Sequence, residues 1–161
     1  MVKKRYREAA NAYGKAVDIE ADECEPRFFR GLVRLLLGDP EGAEADFRKC
    51  MDQGEKSPAV LGGLGYALFD QSRFDDAGKA FDDALKLDDK SADNHLGRAF
   101  VLLRQEKPVE AVAAFRRASE LEPAMAKGVE SAEKKGFVYS EVEKKAWEDL
   151  VAAVRAQEGG K

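Results

Sequence analysis

Residues 61–87 read LGGLGYALFDQSRFDDAGKAFDDALKL. Leu61, Leu64, Gly65 and Leu68 recur at three- and four-residue steps, which places them on one face of a helix. Residues 70–74 interrupt that pattern, and Ala77, Phe81, Ala84 and Leu85 then mark the face of a second helix. Small residues at Gly65, Ala77 and Ala84 let the two backbones approach closely. Leu64, Leu68 and Phe81 fill the space between them. The stretch therefore predicts a helical hairpin.

The same pattern returns along the chain with a period of about 34 residues. Ala77 is matched by Ala9, Ala43 and Ala111; Phe81 by Tyr13, Phe47 and Phe115; Ala84 by Ala16, Cys50 and Ala118; Gly65 by Gly31 and Ala99. On these residues the chain resembles the tetratricopeptide repeat (TPR) family, whose unit is a helix–turn–helix of that length. The resemblance covers roughly residues 5–123. The family's large aromatic early in the first helix is missing, since Arg27, Leu61 and His95 stand there, and its proline near the repeat end appears only as Pro123. The resemblance implies an all-α, right-handed solenoid. Its units are expected at 1–23 (a half repeat), 24–57, 58–91 and 92–125, with C-terminal capping and amphipathic helices over 126–161.

Composition narrows the function. With 161 residues, a charged fraction of 36% and 44% hydrophobic residues, the chain suits stacked amphipathic helices. A net charge of −4 argues against nucleic-acid binding, which needs a basic footprint. No apolar run approaches the roughly 18 residues of a membrane span. No apolar h-region follows the basic start, so no signal peptide is visible and a cytoplasmic location is the default expectation.

Little in the chain points to catalysis. Cys24 and Cys50 fit no zinc spacing and are expected to be free thiols, Cys50 at a position where other repeats carry alanine. His95, the one histidine, falls at a repeat packing position with no visible triad partners. Gly62, Gly63 and Gly65 follow no strand and precede no Lys-Ser/Thr, so they are no phosphate loop. The expectation is no enzyme, no cofactor and no metal site.

Taken in order, Tyr6 and Ala9 align with Phe74 and Ala77, so the chain starts in the turn of a repeat whose first helix is missing. An excised segment and a natural capping helix both account for that. In the helix over 26–37, strict periodicity puts Arg27, Arg30 and Arg34 where Leu61, Leu64 and Leu68 are buried. Buried arginines without partners are costly. A two-residue slip is expected instead, burying Phe29, Leu32, Val33 and Leu36 and turning the arginines together to another face. Asp39-Pro40 and Ser57-Pro58 open helices as N-cap and first-turn pairs, Ser91 caps another helix, and Pro108 opens its partner. One further helix is expected over 125–135. The capping box of Ser140 and Glu143 starts a last helix whose Trp147, Leu150, Val151 and Val154 share a side too apolar for water. That helix is expected to dock on the last repeat or into the groove of a neighbouring molecule, so self-association through it is one expectation.

In proteins similar to this family the first helices of successive repeats line a groove that holds a peptide or helix. Transferred by position, the groove is expected to be lined by Gly62, Gly63, Tyr66, Phe69 and Asp70, then Asp93, Leu96, Gly97, Phe100, Leu103 and Arg104, with Arg27, Arg30 and Arg34 beside them. Glycine inside a helix costs roughly 1 kcal/mol relative to alanine, so Gly62, Gly63 and Gly97 need a reason such as close approach of a ligand or another helix. The Lys and Asn clamp of the chaperone-binding members is absent here. The run from Arg27 to Leu32 resembles, weakly, helices of bacterial secretion chaperones. The leading expectation is an adaptor or scaffold module binding a partner peptide or helix, the segment carrying an acidic end for the arginines and large apolar residues for the aromatics. A chaperone for an apolar client, or a regulatory segment of a larger protein, are the alternatives.

Overall fold

The computed structural model describes residues 2–135, 137 and 139–159. Ten helices follow one another in them, and no strand occurs among the described residues. They are α1 (Val2–Ile19), α2 (Cys24–Leu37), α3 (Pro40–Asp52), α4 (Pro58–Asp70), α5 (Phe74–Leu87), α6 (Ala92–Arg104), α7 (Pro108–Leu121), α8 (Pro123–Ala126), α9 (Val129–Glu133) and α10 (Glu141–Gly159). Helices α2 and α3, α4 and α5, and α6 and α7 form three hairpins, each stacked on the next, with α1 against α2 at one end. The helix expected over 125–135 is instead two short ones, because Gly128 turns the chain with φ +99°.

Helix starts follow the sequence. Asp39 accepts from the Gly42 amide at 3.0 Å, and Ser57 and Ser91 accept from the amides of Val60 and Asn94, each ahead of its helix. Helix ends share one device. Gly38, Ser72 and Glu106, one period apart, adopt the left-handed conformation after α2, α4 and α6. In each the next amide reaches back five residues: Asp39 to Arg34 O, Arg73 to Leu68 O, Lys107 to Leu102 O.

The inter-repeat packing rests on two phenylalanines. Phe47 and Phe81 are both fully buried. A Cβ on Gly31 or Gly63 would stand 2.8 or 2.7 Å from the Phe47 ring, and one on Gly65 would stand 2.8 Å from the Phe81 ring. Gly97 lies closer still to Phe81. Each ring therefore wedges between the first helix of its own repeat and that of the next, which only glycine permits there. Gly62 has a different neighbour, the buried amide of Asn94, whose Nδ2 donates to Pro58 O at 3.3 Å. The close approach expected at Gly62, Gly63 and Gly97 is thus made by side chains of this chain.

Two expectations are corrected. Gly31 meets Phe47 as Gly65 meets Phe81, so α2 keeps strict periodicity and the two-residue slip does not occur. Leu35 is buried, while Phe29 remains 38% exposed and Leu32, Val33 and Leu36 are only half-buried. Arg30 and Arg34 tolerate their positions because α3 supplies the missing partner. Asp46, 3% exposed, accepts from Arg30 Nε at 2.9 Å and Nη2 at 2.5 Å, and from Arg34 Nη1 at 2.8 Å. A bidentate, charge-assisted pair offsets the desolvation that argued against burial. Burial alone would weaken Arg30's hold on its proton, but the bond to Asp46 prevails and raises its pKa. Cys24 and Cys50 are not free thiols. They form a disulfide, Cα atoms 4.9 Å apart, tying the start of α2 to the end of α3.

Candidate partner-binding groove

The inner faces of α2, α4 and α6 form a groove, and α10 lies along part of it, packed on α6, α7 and α4. Trp147 is 1% exposed and sits between Phe100 and Phe115, with ring centroids 6.2 and 6.3 Å away. Tyr139 stands edge-on to Trp147 at 5.2 Å and to Tyr66 at 6.4 Å. At the far rim Arg104 of α6 pairs with Asp149 of α10 at 3.0 Å. The terminal helix docks on its own chain, as the stripe around Trp147 requires.

A polar cluster fastens the start of α10. The capping box forms: Ser140 N donates to Glu143 Oε2 at 2.7 Å, and Glu143 N donates to Ser140 Oγ at 3.2 Å. Tyr139 donates through its hydroxyl to Asp93 Oδ1 at 3.1 Å, and the Tyr66 hydroxyl is shared between Asp93 O at 2.8 Å and Oδ1 at 3.1 Å, joining α4, α6 and the segment before α10. Burial pushes the Asp93 carboxyl up to about 6 despite those two bonds. Burial likewise raises Asp70, at the end of α4, to about 6. Glu143, 2% exposed, is held well above the usual carboxylate range by burial and by the charge of Asp70. Docking thus gathers three carboxyl groups where water is scarce.

The expected groove residues divide accordingly. Phe69, Leu96 and Phe100 are fully covered, with Phe69 against Phe74 and Phe100. Tyr66 and Asp93 serve the cluster, and Arg104 meets α10. Gly97 lies under Phe81, and Leu103 packs at the core's edge. Arg30 and Arg34 face Asp46, and Arg27 donates to Ala21 O. Gly62, Gly63 and Tyr66 line what stays open, a cavity of about 510 Å³. Its other walls include Phe28, Leu32, Leu36, Ala59 and Phe137, which the sequence reading did not select. The signal was present. Phe28, Leu32 and Leu36 lie one period before Gly62, Tyr66 and Asp70, so strict periodicity names them. His95 is a structural residue whose Nε2 lies 2.9 Å from Asp89 O.

Residues 63–126 match the tetratricopeptide repeat family model. That stretch is similar to tetratricopeptide repeats. The solved structures agree on the solenoid. A crystal structure of MamA superposes with a TM-score of 0.67 at 19% identity, over 98% of this chain and 94% of that one. MamA of Desulfovibrio magneticus RS-1, residues 41 to the end, gives 0.66 at 18% identity, over 75% and 68%. YrrB, described as a TPR protein with an unusual peptide-binding site, gives 0.62 at 18% identity, over 96% and 84%. No helix among the described residues is long and apolar enough to cross a membrane.

Proposed function

We propose that this TPR module is an adaptor or scaffold that holds a segment of a partner protein in the groove formed by α2, α4 and α6. One observation carries the reading: the groove already accepts a helix. Trp147 and Tyr139 are seated against Phe100, Phe115 and Tyr66, so the surface has the shape and apolar character to bind an amphipathic segment. The stretch that α10 leaves uncovered, between Leu32, Leu36, Ala59 and Gly63, is the place for a partner. YrrB, of the same fold, is described as binding peptide.

Site-specific photo-cross-linking tests it. A photoreactive residue placed at Ala59 or Leu36 should capture a protein partner that the same residue at Arg117 or Glu120, on the outer face of α7, does not. Equal capture from both faces would remove the groove from the function.

A further inference from the structure

We infer that the open part of the groove takes a cationic amphipathic segment of a partner protein, with its apolar side chains on the floor and its lysines or arginines at the rim. The inference rests on the groove being the partner site, as proposed above, and adds the chemistry of the partner.

Three cavities join into one trough. The cavity of about 510 Å³ shares Phe28, Ser57 and Ala59 with a neighbour of about 390 Å³. That one shares Glu23, Glu25 and Phe29 with a third, of about 600 Å³, between α1 and α2. Neighbouring packed helices lie about 8–10 Å apart, so a trough crossing from α1 to α6 is long enough for a peptide segment rather than a single side chain. Its floor is apolar. Phe28 stands edge-on to Phe47 with centroids 5.9 Å apart, and the half-exposed Phe29 stacks on Tyr13 at 5.6 Å. These rings are braced from behind while presenting a face outward, the arrangement of a pre-formed apolar contact.

The rim has one sign. Glu20, Glu23, Glu25, Glu55 and Asp88 are exposed along it. Among the described residues no lysine or arginine lines any of the three cavities. Two arginines of α2 are turned to α3, where Arg30 and Arg34 pair with Asp46, while Arg27 donates to the neutral Ala21 O and keeps its charge. The first turns of α2, α4 and α6 face the same trough, and each contributes about half a positive charge. Five acidic side chains outweigh three such half charges together with Arg27, so the trough repels an anionic segment and attracts a cationic one. This reverses the acidic partner that three free arginines would have implied.

Three short amphipathic helical peptides with one common apolar face, and lysine, glutamine or glutamate on the other, test the inference against the full chain by fluorescence anisotropy. The lysine peptide should bind at least about tenfold more tightly than the glutamate peptide, and the difference should shrink as salt screens the rim. The double variant Glu23→Lys with Glu55→Lys, both exposed positions, should invert the order. Ala59→Trp, which fills the junction of the two inner cavities, should weaken every peptide. Equal binding of all three peptides, abolished by Ala59→Trp, would overturn the charge assignment and leave the groove standing. No binding of any peptide, or binding untouched by Ala59→Trp, would overturn both.

Discussion

The Phe81 ring occupies the space that a Cβ on Gly97 would need, with Phe81 on α5 and Gly97 on α6 of the next repeat. The contact couples the two repeats alongside the Phe69–Phe100 ring pair and the bond from Asn94 to Pro58 O. Phe81→Ala should destabilise the chain by about 3–5 kcal/mol, as for other fully buried aromatics. Gly97→Ala should cost about 1–3 kcal/mol by overpacking. The double variant should be less destabilised than the sum, because alanine at 81 makes room for the new methyl group. Additive losses in urea denaturation would show that the two residues do not share that space.

Ser72 and Glu106 hold φ values of 61° and 59° at the turns where the first repeat uses Gly38. Left-handed backbone costs a residue with a Cβ roughly 1–2 kcal/mol, while glycine costs a few tenths to about 1 kcal/mol more in chain entropy. Ser72→Gly and Glu106→Gly should therefore each stabilise, by up to about 1 kcal/mol. A lowered thermal midpoint in both would contradict the turn assignment.

The Cys24–Cys50 disulfide closes a span of 26 residues. Loop-closure entropy for that length corresponds to about 3.5 kcal/mol. Replacing both cysteines by alanine, or adding reductant, should lower stability by about that amount. Identical denaturation midpoints with and without reductant, and a mass showing two free thiols, would remove the bond.

The carboxyl groups at the start of α10 make its docking depend on pH. Asp70 and Asp93 sit at about 6 when α10 is docked, and Glu143 is also raised. Lys144, bonded to Glu133 at 3.0 Å, faces Glu143 with the opposite charge and lowers it, but burial outweighs that effect. Raised carboxyl pKa values mean that the docked state binds more protons than the undocked one. Docking is then strongest in acid, near the ordinary carboxylate range and below, and weakens as pH rises through about 6. Asp70→Asn, which removes one buried charge, should strengthen docking at neutral pH and flatten the profile. Amide exchange in α10 and Trp147 fluorescence report both, and docking that tightens from pH 5 to pH 8 would contradict the cluster.

Periodicity made the hairpins, the caps and the docking of Trp147 readable in the sequence. What stayed hidden was pairing across elements. No local pattern says that Asp46 of α3 reaches Arg30 and Arg34 of α2, so the arginines looked free and α2 looked out of register. The disulfide was hidden likewise, because the first residue of α2 meets the end of α3 only after the hairpin folds. Tyr66, Phe69 and Phe100 were expected to face a partner, but the folded chain buries them, with α10 lying over part of the groove. The open trough then lies at Phe28, Leu32 and Leu36, which keeping strict periodicity through α2 would have selected.

The uncovered inner face of α2 and α4 is the proposed seat of a partner segment. Titration of the isotopically labelled chain with the lysine-faced amphipathic peptide, followed by amide chemical shifts, tests it most directly. Saturable shifts are expected at Leu32, Leu36, Ala59 and Gly63, with Arg117 and Glu120 of α7 unmoved. Shifts centred on the outer helices α3, α5 and α7, with the inner residues unmoved, would contradict it.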